Sequence, residues 1–128
     1  MKKWLVVAIG LVVIPAMVFA ASNSVFSIMG DAGGTVRGTL TDTARTIDNV
    51  VGTGYDKGGN HPIAALITVE TFGARIAFGG VTPTVGGVGH VIAAGSSIRV
   101  SSPTMVGSTK LVNAVAGDNS VVQITLEY

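Results

Sequence analysis

The chain has 128 residues, with eight basic and seven acidic side chains, a formal net charge of +1 and no cysteine. This sparse and mixed charge provides no basic face, which argues against nucleic-acid binding, and the lack of cysteine excludes disulfide bonds. Stability must come from apolar burial and backbone hydrogen bonds, or from assembly with other subunits.

The first 20 residues have the layout of a secretory signal peptide. Lys2 and Lys3 give a charged start, an apolar stretch follows, and Val18 and Ala20 stand at the −3 and −1 positions of a cleavage site. We expect cleavage after Ala20, which leaves 108 residues with six basic and seven acidic side chains, a net charge of −1. The alternative is that residues 1–20 remain as an uncleaved membrane anchor, although the apolar run is short for a membrane span.

Residues 21–128 are predicted to form one all-β domain. Val, Thr and Ile supply 36 of these 108 residues, and β-branched side chains favour strands over helices. Seventeen glycines are spread along the segment, as expected for short strands separated by frequent turns. About six to eight such strands predict a single small antiparallel β-sandwich, either jelly-roll-like or closed into a small barrel.

In chain order, the amino-terminal half has the weaker strand pattern. Residues 23–30 and 34–44 are predicted as strands, the second with Val36 and Leu40 as its apolar positions. Residues 50–62 are polar and rich in glycine, and they are predicted to form an exposed loop.

The carboxyl-terminal part is predicted to form three hairpins, over residues 64–80, 90–103 and 109–128. Alternation of apolar and polar side chains is clearest at the end of the chain, where every second residue from Val122 to Tyr128 is apolar or aromatic. Residues 109–116 also fit helical spacing, so a short helix remains the alternative to a strand there. Pro103 is predicted to end a strand because it cannot donate a ladder hydrogen bond.

The stretch GGVTPTVGGVGH, residues 79–90, is interpreted as a connection between strands. The dinucleotide pattern G-x-G-x-x-G, started at Gly87, would require glycine where the chain has Ile92. The chain also contains no Gly-Lys-Ser/Thr triplet, so a phosphate-binding loop is not predicted.

No catalytic residue, metal ligand or cofactor site is predicted, and the protein is therefore predicted not to be an enzyme. His61 and His90 are the only histidines, and without cysteine they show no metal-ligand spacing. We expect His61 to be solvated and His90 to pack or hydrogen-bond at the start of a strand. Glu70 and Glu127 are the only glutamates, and both are expected on outward-facing strand positions. The loop aspartates lack calcium-loop spacing: Asp31, Asp42, Asp48 and Asp56.

From about residue 63 to residue 128, the order of motifs resembles small decoration-like β-sandwich structural proteins of tailed phages. The matching stretches are AALITVET with ARIAFGG, then TPTVGGVGHVIAAGSSIRV, and the closing VVQITLEY. In such proteins a Thr-Pro-Thr segment leads to a Gly-His pair, here Gly89 and His90. The resemblance implies a compact β-sandwich that decorates or builds a particle without catalysis. The export signal departs from this pattern, because it suits a host surface protein or a virus that assembles at a membrane.

Two functions are left open. The first is a self-associating subunit of a virion or extracellular assembly, which pairs with itself through strand edges and with other capsid or surface proteins. The second is a monomeric secreted or periplasmic binding module, which uses the loops around Tyr55 and Val81–His90 for a carbohydrate or a partner protein. Neither function involves nucleic acid, and membrane contact is expected only through residues 1–20 if they are not cleaved.

Overall fold

The computed structural model describes residues 32–128 of the chain. The predicted signal peptide at residues 1–20 and the predicted strand at residues 23–30 lie outside the described residues, as does Asp31. Within these described residues, no helix is both long enough and apolar enough to span a bilayer.

Within residues 32–128, eight strands form two four-stranded antiparallel sheets packed as a sandwich, which confirms the predicted antiparallel β-sandwich. The strands are β1 (Ala32–Thr39), β2 (Arg45–Thr46), β3 (Ala64–Thr71), β4 (Ala74–Ala77), β5 (His90–Ile92), β6 (Ser97–Val100), β7 (Lys110–Asn113) and β8 (Val121–Glu127). The first sheet has the order β1-β8-β3-β6 and the second has the order β2-β7-β4-β5.

The core lies between the sheets because alternate side chains of each strand point inward. On β3, Ile67 and Val69 are fully buried, whereas Thr68 between them is half-buried on the outer face. On β8, Val122 and Ile124 are fully buried in the same cluster. Each such side chain contributes about 1.5–3 kcal/mol relative to an exposed position. The predicted alternation is therefore confirmed on both strands.

The three predicted hairpins are wrong in their pairing, although their strands exist. The members of each pair, β3 and β4, β5 and β6, and β7 and β8, lie in different sheets. The chain crosses between the sheets at each of these turns. Turn-forming residues are needed for a crossing as much as for a hairpin, so the local signal does not distinguish the two. Residues Lys110–Asn113 form a strand, which decides against the helical alternative.

Two short helices were not expected from the sequence. The helix α1 (Ile47–Val51) extends into the first two residues of the loop predicted at 50–62, and a 3-10 turn follows it at Gly52–Gly54. Thr46 caps α1 by accepting a hydrogen bond from the Asn49 amide at 3.3 Å. The helix α2 (Pro103–Ser108) begins at the proline, which fits the first turn of a helix.

Four connections between the sheets meet at one end of the sandwich, which we call the crossing end. They are the β1–β2, β3–β4, β5–β6 and β7–β8 connections. The other end carries α1, α2 and the β4–β5 connection.

The fully buried Asn113, at the end of β7, links the connections of the crossing end. Its Nδ2 donates to Asp42 Oδ1 at 2.9 Å, and its Oδ1 accepts the Ser120 amide at 2.9 Å. Its own amide donates to the Thr41 carbonyl at 3.1 Å. The Ser120 hydroxyl donates in turn to the Gly73 carbonyl at 2.5 Å, which adds the β3–β4 connection. The buried polar groups of Asn113 and Ser120 are thereby satisfied, whereas Asp42 and Thr41 lie at the solvent-exposed rim of the network.

Glu127 corrects one sequence expectation. It faces outward in the register of β8, yet only 2 % of it is exposed. Arg99 binds it through two hydrogen bonds, Nε to Oε1 at 3.0 Å and Nη2 to Oε2 at 2.5 Å. The bond to this carboxylate raises the pKa of Arg99. Glu70, in contrast, is outward as expected and accepts from Arg37 Nε at 2.6 Å.

Asp42 is predicted to make the crossing end sensitive to acid. The hydrogen bond from Asn113, followed by that from the Gly117 amide, holds the pKa of Asp42 below its usual value of 3.8. A lowered pKa in the folded state stabilises the protein above the unfolded-state pKa, and this contribution is lost as the pH falls through the lowered value. We expect Asp42→Asn to lose less stability than the wild type on acidification from about pH 5 to pH 2.

The test measures urea midpoints across this pH range, with Asp118→Asn at the same end as the control. An Asp42→Asn profile that is parallel to the wild-type profile contradicts the assignment.

Candidate binding surface

The connection between β4 and β5, residues 78–89, covers the outer face of the second sheet; we call it the glycine loop. Arg75 on β4 reaches it, donating from Nη1 to the Gly87 carbonyl at 2.6 Å and to the Gly89 carbonyl at 3.1 Å. Lys110 Nζ donates to Thr82 Oγ1 at 2.8 Å. Val112 pairs with Arg75 on this outer face and is nevertheless fully buried.

The glycine loop is also held by hydrogen bonds within itself. The Thr84 amide donates to the Val88 carbonyl at 3.0 Å, and the Val88 amide donates to Thr84 Oγ1 at 2.9 Å. The Gly87 amide donates to the Thr84 carbonyl at 3.1 Å. These amides already have acceptors within the loop, so they do not form a free cradle for a phosphate. The stretch connects two strands, as predicted.

An open cavity of about 350 Å³ lies where the glycine loop meets the ends of β4 and β5. Its lining residues are Ala77, Phe78, Val81, Val88, Gly89 and His90. The Phe78 and His90 rings lie with their centroids 6.2 Å apart. Val81 and Val88 are about half-exposed, and Val91 on the adjoining edge strand β5 is 59 % exposed. We call the cavity, together with the exposed Val91 that follows its lining residue His90 in the chain, the valine surface.

The two histidines lie in different parts of the fold. His90 begins β5, which confirms its expected position at a strand start, and its exposed ring lies beside that of Phe78. His61 is exposed as expected, and its Nδ1 lies 2.7 Å from Asp56 Oδ1. In residues 32–128, no group of three or more histidine, aspartate or glutamate side chains is placed to hold a metal ion.

Tyr55 does not line this cavity. It is half-buried against the core, and its carbonyl accepts a hydrogen bond from the Tyr128 hydroxyl at 2.9 Å. Burial, together with Asp48 and Asp56, raises the pKa of Tyr55. The loop at Val81–His90 therefore forms the cavity without the second loop that the sequence associated with it.

Sequence reasoning did not find Arg75 and Lys110, the two side chains that hold the glycine loop. For Arg75, the available signal was one basic residue between the apolar residues Ala74 and Ile76, at the outward position of a short strand. Such a residue needs partners beyond its own sheet when that face is covered.

Comparison of the chain with protein-family models, curated proteins and solved structures found no match.

Gly89 is predicted to be essential for seating the glycine loop. Its φ is +110°, and an added Cβ would lie 3.0 Å from Pro83 Cβ and 3.1 Å from the Ile76 carbonyl oxygen. We expect Gly89→Ala to cost about 2–4 kcal/mol of stability, from backbone strain and overpacking together.

The matched control is Gly80→Ala, because Gly80 also has positive φ, +82°, but an added Cβ meets no atom within 4 Å. We expect it to cost about 1 kcal/mol. Chemical denaturation of both variants provides the comparison, and equal losses would show that close packing at Gly89 is unimportant.

Proposed function

We propose that this protein is a non-enzymatic structural subunit that self-associates in a virion or an extracellular assembly. Its fold is jelly-roll-like, its own strand edges supply the contacts, and other capsid or surface proteins are further partners. The valine surface is the observation that carries the proposal.

The nested strand pairing favours a jelly roll over a small barrel. β1 pairs with β8 and β3 with β6 in the first sheet, whereas β2 pairs with β7 and β4 with β5 in the second. This nested pairing of first with last strand, second with seventh, third with sixth and fourth with fifth is typical of eight-stranded jelly rolls. Jelly rolls occur in both viral capsid proteins and lectins. The fold alone does not distinguish a capsid subunit from a carbohydrate-binding protein, so the distinction depends on the valine surface.

The valine surface favours assembly. β5 is an edge strand, and its backbone presents unpaired groups on one side. Edge strands that avoid pairing usually carry a charge or a proline, whereas β5 carries Val91 at its centre. Val81 and Val88 are the other exposed valines of this surface. An exposed apolar area next to an open strand edge is typical of a surface that binds another protein.

The predicted signal peptide and the phage resemblance support the setting of this function. An export signal at residues 1–20 leads to the periplasm, the cell surface or the medium. The resemblance over residues 63–128 points to particle-building proteins. Both the export signal and the resemblance are compatible with a virus that assembles at a membrane or with a surface layer of a host cell.

The cavity favours a second candidate, a monomeric binding module for a carbohydrate or a partner protein. Its volume of about 350 Å³ is at the lower end of the range for small-molecule sites. Phe78 and His90 supply one aromatic ring and one polar group. A protein that stays monomeric at high concentration and is stabilised by a glycan in thermal-shift screens would favour this candidate.

Self-association is predicted to weaken when a charge is placed on the strand edge. We expect Val91→Lys to raise the dissociation constant of the assembly at least about tenfold, because a lysine on an edge strand opposes strand pairing. Sedimentation velocity over a concentration series measures this effect.

Met105→Lys is the matched control, since Met105 is also an exposed apolar residue but lies on α2. We expect Met105→Lys to associate like the wild type. A Val91→Lys variant that also associates as strongly as the wild type would contradict the assignment of the β5 edge.

A further inference from the structure

Phe72 is an exposed aromatic side chain on a strained backbone. It lies in the β3–β4 connection at the crossing end, is 56 % exposed, and has a φ of +57°. This left-handed conformation is rare for a bulky residue and lowers stability. Neither the exposure of the ring nor the strained backbone stabilises the folded subunit. A contact with another molecule is therefore the best explanation for a phenylalanine at this position.

The cavity of the valine surface has the size and chemistry to receive a phenyl ring. A cavity of about 150 Å³ is enough for benzene. The one described here, at about 350 Å³, is larger and is open to solvent. Phe78 offers a ring for aromatic packing, and Val88 offers an aliphatic wall.

Phe72 and the cavity lie at opposite ends of β4. Phe72 precedes Ala74 by two residues, and Phe78 directly follows Ala77. The four residues of β4 lie between them and span about 13 Å of extended chain. An aromatic side chain at one end of a strand and a matching cavity at the other end form a heterologous pair of surfaces, which leads to open chains or rings.

The charges at the two ends are complementary. Near Phe72, Asp42 is held by uncharged donors and keeps its negative charge, and Asp118 lies in the neighbouring β7–β8 connection. Near the cavity, the basic side chain of Lys110 donates to an uncharged hydroxyl oxygen, Thr82 Oγ1, at 2.8 Å. Opposite charges on the approaching ends orient the encounter and disfavour contacts between like ends.

From these observations we propose that copies of this chain join head to tail, with Phe72 of one copy seated in the cavity of the next copy. This proposal rests on the self-association proposed above and names one contact that carries it. The β5 edge flanks the cavity and extends the contact around the phenyl ring.

The first experiment measures sedimentation velocity over a concentration series. It uses the full-length gene product purified after natural processing in the cell, with its mass checked by intact mass spectrometry. We expect the wild type to grow beyond a dimer with concentration. We expect Phe72→Ala to weaken association at least about tenfold, because truncation of an aromatic anchor removes a central contact. Met105→Ala, which shortens an exposed apolar side chain on α2, is expected to associate like the wild type.

The decisive experiment mixes two variants. Phe72→Ala lacks the aromatic side chain but keeps the cavity, and Val88→Asp keeps the aromatic side chain but carries a charge in the cavity. We expect each variant alone to be largely monomeric and their equimolar mixture to form a heterodimer that grows no further. Since Val88 is half-exposed, the aspartate is compatible with folding, and circular dichroism and thermal melts verify it.

A second pair of variants guards against misfolding. Phe72→Gly is expected to melt higher than the wild type, because glycine relieves the backbone strain, and still to lose association. Val81→Asp places the charge on another wall of the cavity and is expected to act like Val88→Asp.

The outcomes separate this inference from the proposed function. A wild type that remains monomeric at high concentration overturns both. A wild type that associates while Phe72→Ala and Phe72→Gly associate equally well overturns only the head-to-tail contact. Growth that stops at a dimer, or a mixture of the two variants that stays monomeric, also overturns it.

Discussion

The side-chain amide of Asn113 is buried, and a buried amide lowers stability unless its donors and acceptors are paired. Here Asp42 and the Ser120 amide satisfy it. These partners belong to the β1–β2 connection and to the segment that enters β8, so one side chain fixes how the two sheets meet. The Ser120 hydroxyl extends the arrangement to Gly73 and the β3–β4 connection. The crossing end is therefore held by directional hydrogen bonds as well as by apolar packing.

This arrangement explains why the two ends of the sandwich differ. Short connections close the crossing end around the buried Asn113 and Ser120, and they leave Phe72 exposed at a tight crossing. The opposite end has long connections, one of which folds back over the second sheet and is held by Arg75 and Lys110. The valine surface lies where that connection returns to β5. A polar network at one end and a covered sheet at the other thus produce two chemically distinct surfaces on one small domain.

The sequence was sufficient to predict seven of the eight described strands, because it missed the two-residue β2 and extended β1 from Thr39 to residue 44, and it did not predict their partners. Alternation places Ile67, Val69 and Val122 in the core because it is a local property of an extended backbone. Pairing is decided by contacts between distant segments, and a turn at Gly73 is compatible with a hairpin or with a crossing. The burial of Glu127 was missed for a similar reason, since Arg99 comes to it from a strand that the sequence does not identify as a neighbour. The apolar cavity forms only because the glycine loop folds onto the second sheet. No local sequence pattern predicts this folding of the loop.

The most direct test of this account is native-state hydrogen exchange at the Ser120 amide. If its bond to Asn113 closes the crossing end, this amide opens only when the whole domain unfolds, and its exchange free energy equals the global unfolding free energy from denaturant titration. The Val81 amide, in the glycine loop, provides an internal reference that exchanges through local opening. Exchange at Ser120 that is as fast as at Val81 would contradict the central role of Asn113.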